Sequence, residues 1–144
     1  IAEMFSGETT DIGGVTIYDP YKTKEYDSIE SLLTEENIDI LYPTWLPENE
    51  EIVSVTYLID AQVENYILQC NDIKYNIYIY LKDNIDDNVK QDCIEAEIGT
   101  FKVYYFAEEN YAQAFLEHNN MLYSVNSDTK DNLFKTIENL REIN

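Results

Sequence analysis

The sequence predicts an α+β domain: an antiparallel meander sheet of about seven strands, with an N-terminal helix and a C-terminal helix packed on the sheet. From Ile52 onward apolar residues alternate with polar ones, and short turn sequences separate these runs. Such short connections favour antiparallel neighbours, because parallel pairs need long crossovers. Apolar residues spaced by three and four positions predict the two helices, one on each side of the strand region.

The length and the glycine distribution predict one domain with a short lead. The chain has 144 residues, and two domains of half that size would each have a marginal core. Residues 1–14 contain Gly7, Gly13 and Gly14 among polar neighbours and show no periodicity. They are therefore predicted to be a flexible lead or juxtamembrane linker, and residues 15–144 a single α+β domain.

Three elements are predicted before the sheet. Residues 15–18 favour a short strand, and a helix follows in which Asp27 and Glu30 form a capping box and which ends near Asn37. Residues 41–48 contain two prolines and are predicted to be extended, outside any helix or central strand. The first helix presents an apolar stripe of Ile29, Leu32 and Leu33.

The predicted strands end in a second helix. That helix starts between Ser127 and Thr129 and carries the stripe Leu133, Phe134, Ile137 and Leu140. A polar loop from Asp83 to Gln91 interrupts the strand series, and His118-Asn119-Asn120 marks a hairpin. The predicted strands cover residues 52–59, 66–70, 75–81, 94–98, 101–105, 112–117 and 121–125.

The charge excludes several classes of partner. The chain has 29 acidic and 9 basic residues, a formal net charge of -20. Nucleic acid and anionic lipid surfaces bind clustered Lys and Arg, and the basic residues here are scattered. A basic partner or a divalent cation stays compatible with this surface. No apolar run approaches the ~20 residues of a membrane helix, and the start at Ile1 suggests a fragment or processed product whose anchor was removed or never existed.

The two cysteines are predicted to be free. Cys70 ends one predicted strand and Cys93 begins the strand two places later, which in a meander places them at opposite ends of the sheet. A disulfide needs Cα atoms within about 7 Å. We therefore expect two thiols, at least one of them packed in the core.

No residue pattern indicates catalysis, and no cofactor is predicted. His118 is the single histidine, it lies at a hairpin tip, and nothing around it resembles a nucleophile elbow. Glu95 and Glu97 share one face of a strand, as expected of a solvated sheet. With so many acids, a glycosidase-like carboxylate pair stays an open alternative.

Aromatic residues supply the candidate ligand-binding positions. Trp45 with Tyr42 could stack on a sugar ring or apolar ligand, or Trp45 could instead pin the proline-bracketed segment to the sheet. Tyr78, Tyr80 and Tyr104 point outward from the predicted sheet. If these tyrosines are uncovered, they would form a binding surface. Alternatively, the final helix could cover them.

The densest acidic loop is the candidate metal site. Asp83, Asp86 and Asp87 supply the oxygen ligands that calcium prefers. The glycine and terminal glutamate of an EF-hand loop are missing from residues 83–88. A solvated loop is the alternative interpretation.

Two segments resemble a known bacterial family. Residues 41–48 read LYPTWLPE and resemble the opening of the domain-of-unknown-function family numbered 4367. Residues 122–125 and 132–140 are similar to that family's last strand and helix, so the resemblance covers roughly residues 40–140. It implies an extracytoplasmic domain of a membrane-anchored Firmicutes protein, some of which are anti-sigma-factor-like. It brings no catalytic residues.

The functional hypothesis follows from this combination. We expect a non-catalytic extracytoplasmic sensor or binding module on the cell-surface side of a Gram-positive membrane, contacting that membrane only through a removed N-terminal anchor. It would recognise an unidentified ligand or protein partner on the sheet face or near Trp45, and transmit binding through residues 1–14. The alternatives are a hydrolase acting on extracellular polymers through paired carboxylates, and a structural or assembly domain that associates with itself.

Overall fold

The structure is a computed structural model, and it confirms an α+β fold with a large antiparallel sheet. It describes the backbone of residues 9–12, 15–18, 23–60, 63–82 and 84–142, and the side chains of 23–59, 63–82 and 84–142. The helices are α1 (Ile29–Glu36), α2 (Asp87–Asp92) and α3 (Lys130–Glu138). The strands are β1 (Thr9–Ile12), β2 (Val15–Tyr18), β3 (Thr23–Tyr26), β4 (Leu41–Pro43), β5 (Ile52–Asp60), β6 (Val63–Cys70), β7 (Asn76–Tyr80), β8 (Ile94–Ile98), β9 (Phe101–Ala107), β10 (Ala112–His118), β11 (Met121–Ser127) and β12 (Leu140–Glu142).

The main sheet consists of two meanders joined side by side. Its eight strands follow the order β3-β5-β6-β7-β11-β10-β9-β8, and every neighbouring pair is antiparallel. Short turns link β5 to β7 and β8 to β11, as the sequence predicts. Residues 81–93, which include α2, carry the chain from β7 to the far edge strand β8. The pairing of β7 with β11 therefore joins the two meanders at the centre of the sheet, and these two strands are distant in the sequence.

The ends of α1 and α3 follow ordinary capping chemistry. Ser28, and not Asp27, caps α1, because its Oγ accepts a hydrogen bond from the Ser31 N–H at 3.1 Å. The predicted capping box is thus wrong by one residue. The end at Asn37 is confirmed, with a left-handed φ of 53°. Thr129 caps α3, which confirms the predicted start.

Several short elements differ from the predictions. β1 lies inside the predicted flexible lead and pairs with β2, while residues 1–8 and 13–14 lie outside the described residues. β3 was not predicted. The predicted polar loop contains α2, and Leu140 belongs to β12, which pairs with β4, instead of to the last helix. Each of these segments is only three to six residues long, too short for periodicity to register.

The hairpin between β10 and β11 is confirmed. Its two central residues, Asn119 and Asn120, have φ values of 51° and 62°. Positive φ at both positions is the geometry of a type I′ turn, whose twist matches that of two antiparallel strands. Asparagine tolerates this region better than most residues. The turn sets the register in which His118 faces Met121.

One face of the sheet is covered and forms the core. The helices α1 and α3 and the ribbon of β4 and β12 pack on this closed face. Successive side chains of a strand point to opposite faces of the sheet. We call the face opposite the closed one the open face. The closed-face core is built by Leu32, Ile40, Tyr66, Leu68, Ile77, Ile79, Val103, Leu116, Tyr123, Val125, Leu133, Ile137 and Leu140.

Both cysteines are free thiols, as predicted. Cys70 is 3% exposed at the end of β6, and burial raises the pKa of its thiol to about 12. Cys93 directly precedes β8, and four strands separate β6 from β8 in the sheet. The separation across the sheet therefore keeps the two sulfur atoms apart.

We expect the stability of the fold to fall in acid through Asp128. Burial alone would raise the pKa of this carboxyl, but hydrogen bonds from Asn132 and Tyr75 lower it below 3.8. A carboxyl whose pKa is lowered by folding stabilises the folded state at any pH above its unfolded-state pKa. This stabilisation is lost as the pH falls through the folded-state pKa. In thermal melts, Asp128→Asn should be less stable than the wild type at about pH 6 and approach it at about pH 3. A pH-independent difference would contradict this.

Candidate functional site

The open face contains a roofed apolar cavity of about 380 Å³, which we call the chamber. Its floor is a row of side chains that lie opposite one another on four neighbouring strands: Leu58, Asn65, Tyr80 and Leu122. Tyr78, Phe115, Ile85 and Val89 are among the side chains that close it. Ligand sites in proteins commonly occupy about 300–1,000 Å³ and are mostly apolar. The chamber has the size and the lining of such a site.

The connection between β7 and β8 forms the roof of the chamber. Ile85 is only 5% exposed, and its N–H donates to Glu117 Oε2 on β10 at 2.8 Å. Asp86 caps α2 by accepting from the Asn88 N–H at 3.0 Å, and Val89 follows on the helix. The segment predicted as a solvated loop thus holds two apolar side chains over the sheet.

Asn65 lines the chamber floor and carries a buried hydrogen-bond acceptor that has no partner among the described residues. The residue is 3% exposed, and its Nδ2 donates to the Val63 carbonyl at 3.4 Å. Its Oδ1 has no hydrogen-bond partner among the described residues. Exchanging the two amide atoms would set Oδ1 against a carbonyl oxygen, so the unpaired atom is the acceptor. Leaving such a group unpaired costs about 1–3 kcal/mol.

Charged groups lie at the margin of the chamber. Lys82 and Asp86 are the charged residues in its described lining, and both are exposed. The hydrolase hypothesis requires two carboxylates facing each other across a cleft. In the described lining Asp86 is the only acid.

A polar depression of about 410 Å³ adjoins the chamber, and we call it the amide shelf. Tyr78 and Tyr80 line both, and their rings stack with centroids 6.1 Å apart and 17° between their planes. On the shelf, Asn126 Nδ2 donates to Asn76 Oδ1 at 2.8 Å. Gln113 Nε2 donates to the Ser124 hydroxyl at 2.8 Å, and the Tyr111 hydroxyl donates to Asn126 Oδ1 at the same distance.

Tyr104 is separated from the other two outward tyrosines. Ser124 and Phe115 lie between Tyr78 and Tyr104 in one row across the sheet. The Lys90 and Lys102 ammonium groups lie 5.5 and 5.9 Å from the centroid of the Tyr104 ring. The predicted tyrosine set therefore divides into the stacked pair at the chamber and a third residue beside two lysines.

Trp45 and Tyr42 lie with β4 and α3, away from the chamber and the shelf. The Lys135 ammonium is 4.6 Å from the centroid of the half-buried Trp45 ring. The neighbouring Thr44 donates through its N–H and its hydroxyl to the Asn139 carbonyl, at 2.9 and 2.7 Å. Tyr42 faces Arg141 across the ribbon. These contacts attach the segment to α3.

The acidic loop and the histidine have structural contacts. Asp83 lies outside the described residues, Asp86 is the α2 cap, and Asp87 is exposed in the first turn. Across the described chain, no three His, Cys, Asp or Glu side chains are grouped so as to hold a metal ion. Calcium binding stays a prediction. His118 Nε2 lies 3.0 Å from Glu142 Oε2, and this hydrogen bond lowers the pKa of Glu142.

Comparison of the chain with protein-family models, curated proteins and solved structures finds no match. The resemblance through residues 41–48 therefore stays a prediction. None of the helices described here has the length and apolar character needed to cross a membrane.

Sequence reasoning missed most of the chamber. Tyr78 and Tyr80 were found because alternation on β7 separates them from the apolar residues. Asn65 had little signal, since Glu64 and Gln69 on the same strand are also polar. Phe115 and Val89 had none, because they meet β6 and β7 only through the β7–β11 pairing and the fold of the 81–93 connection.

Proposed function

We propose that this chain is a non-catalytic binding module whose ligand site is the chamber on the open face. The observation that carries this proposal is an apolar cavity roofed by its own segment, with a buried, unpaired acceptor in the floor. Partly open clefts lined mainly by apolar side chains with a few polar groups are the usual form of small-molecule sites. The unpaired acceptor lowers stability without serving the fold.

A ligand that enters the chamber gains affinity chiefly from apolar burial. Leu58, Leu122, Phe115 and Val89 offer aliphatic and aromatic surface, and burial of apolar area contributes about 25 cal/mol per Å². Association costs reduce this gain. The roof shields the ligand from water, while Asn65 Oδ1 favours a ligand that carries a hydrogen-bond donor. These features support binding without any reacting group.

The cellular setting is part of the same proposal. We infer an extracytoplasmic domain of a membrane-anchored protein, supported by the resemblance of residues 41–48 to the 4367 family and by an acidic surface. In this setting, residues 1–14 would connect the domain to the anchor, and ligand binding would be the sensed event. Immunolabelling of intact cells against permeabilised cells tests the location: labelling only after permeabilisation would contradict it.

The first test fills the chamber. The probe is N-phenyl-1-naphthylamine, an uncharged apolar fluorophore with one N–H donor, titrated into the purified protein. We expect saturable binding to the wild type and at least about tenfold weaker binding to Val89→Trp, because the indole occupies the space under the roof. Val89 is half-buried, so the larger side chain is compatible with folding.

The matched control is Val53→Trp. Val53 is 57% exposed on β5 and lies outside the chamber lining, so this variant should bind the probe as the wild type does. Equal binding by Val89→Trp and the wild type, or no saturable binding to the wild type, would contradict the proposal.

A further inference from the structure

We infer that the ligand is a single-chain amphiphile with an uncharged head. Its hydrocarbon chain occupies the chamber, and its head lies on the amide shelf. This inference rests on the proposed function and names the ligand class for the same site.

The chamber and the shelf form one continuous site. Tyr78 and Tyr80 line both, so a molecule that leaves the chamber along these rings reaches the shelf directly. Rows two residues apart along a strand are separated by about 6.8 Å. The shelf row with Asn76 and Asn126 lies one such step from Tyr78 and two from Tyr80. A short neck between head and chain spans this distance.

The two parts differ sharply in chemistry. Within the described lining, the chamber offers mainly carbon atoms with one amide in the floor, whereas the shelf offers Asn76, Gln113, Ser124 and Asn126. Gln113 uses a single N–H in contacts with described residues, toward Ser124. Its second N–H and its carbonyl oxygen are available to a ligand. This gradient matches an amphiphile better than a wholly apolar molecule.

The shelf favours a head without charge. Its described lining contains no acid, and its one base, Lys74, lies 3.7 Å from Asp72 and over the Tyr75 ring. A cationic head would find no carboxylate there. An anionic head would meet a chain of net charge -20, which repels anions. Paired donors and acceptors on amides instead suit hydroxyl or amide groups.

The test uses n-octyl glucoside, whose head is uncharged and rich in hydroxyls, titrated calorimetrically below its micelle concentration. We expect binding that tightens about fourfold for each methylene from hexyl to octyl, because a buried methylene contributes about 0.8 kcal/mol. Octyl glucoside should bind more tightly than 1-octanol, octanoate and octyltrimethylammonium at moderate salt. Tighter binding of either charged compound would overturn the uncharged head.

Variants separate the head from the chain. Gln113→Met keeps the side-chain length and removes the amide, so it should weaken octyl glucoside about two- to tenfold and leave 1-octanol unchanged. Gln91→Met is the matched control, since Gln91 is exposed on α2 and outside both linings. An unchanged affinity of Gln113→Met for octyl glucoside would contradict head placement on the shelf.

The outcomes also separate the two proposals. If N-phenyl-1-naphthylamine binds in the chamber but octyl glucoside binds no more tightly than 1-octanol, the binding module stands and the amphiphile inference fails. If neither the fluorophore nor any octyl compound binds, both fail.

Discussion

Replacing Asn65 by leucine should stabilise the free protein by about 1–3 kcal/mol and weaken its binding of donor-bearing ligands. The amide is 3% exposed, its Oδ1 has no partner in the described chain, and its one bond to the Val63 carbonyl is long at 3.4 Å. Leucine has the same branching, removes the unpaired acceptor, and directs its methyl groups toward the chamber. Thermal and urea unfolding measure the gain.

Asn76→Leu is the control for this substitution. Asn76 lies on the neighbouring strand, and both ends of its amide are paired: Nδ2 donates to the Ile73 carbonyl at 2.9 Å, and Oδ1 accepts from Asn126 at 2.8 Å. The same change should therefore lower stability there. A loss of stability in Asn65→Leu would contradict the proposal that the Asn65 oxygen is left unpaired for a ligand.

The binding half of this prediction has a matched ligand pair. N-phenyl-1-naphthylamine carries an N–H, whereas 1-phenylnaphthalene has a similar shape and none. Asn65→Leu should weaken the amine about two- to tenfold, the worth of one neutral hydrogen bond, and leave the hydrocarbon unaffected or tighter. Equal changes in the affinities of both compounds would mean that Asn65 affects binding only through the size of its side chain, without a hydrogen bond to the ligand.

Replacing Tyr123 by phenylalanine should destabilise the fold by about 1–3 kcal/mol. Tyr123 is fully buried on the closed face, and its hydroxyl oxygen accepts a hydrogen bond from the Leu41 N–H at 2.9 Å. Burial also raises the pKa of this phenol to about 12, so it stays neutral. Phenylalanine keeps the ring but leaves a buried backbone donor without a partner, which loosens the attachment of β4.

Tyr66→Phe is the matched control on the same face. Tyr66 is also buried, yet its hydroxyl makes no hydrogen bond to any described residue. Its loss should change the free energy of unfolding by about 0.5 kcal/mol or less. Equal effects of the two substitutions in urea unfolding would contradict a specific role of the Leu41–Tyr123 bond.

Local patterns in the sequence were sufficient to predict the long strands and the two main helices. Alternation gave the strands from Ile52 onward, and the spacing of Leu133 and Ile137 gave α3, because both patterns depend on residues close together in the chain. Asn119-Asn120 identified a two-residue hairpin for the same reason. The fold class could therefore be predicted with its two main helices.

The chamber could not be predicted in this way. Its floor depends on β7 pairing with β11, and its roof depends on how residues 81–93 cross the open face. Both arise from contacts between distant segments, and neither leaves a periodic signal. Trp45 drew attention as the single tryptophan, but it contacts Lys135 beside α3. Helices α1 and α3 occupy the closed face, whereas α2 lies over the open face and helps to form the cavity.

The most direct test of the binding site is a nuclear Overhauser measurement on isotope-labelled protein with bound octyl glucoside or N-phenyl-1-naphthylamine. We expect contacts from the ligand's apolar protons to the methyl groups of Leu122, Ile85 and Val89, which line the chamber together. Contacts to the Trp45 ring, with none to these methyl groups, would contradict this expectation and move the site to the β4–α3 side of the protein.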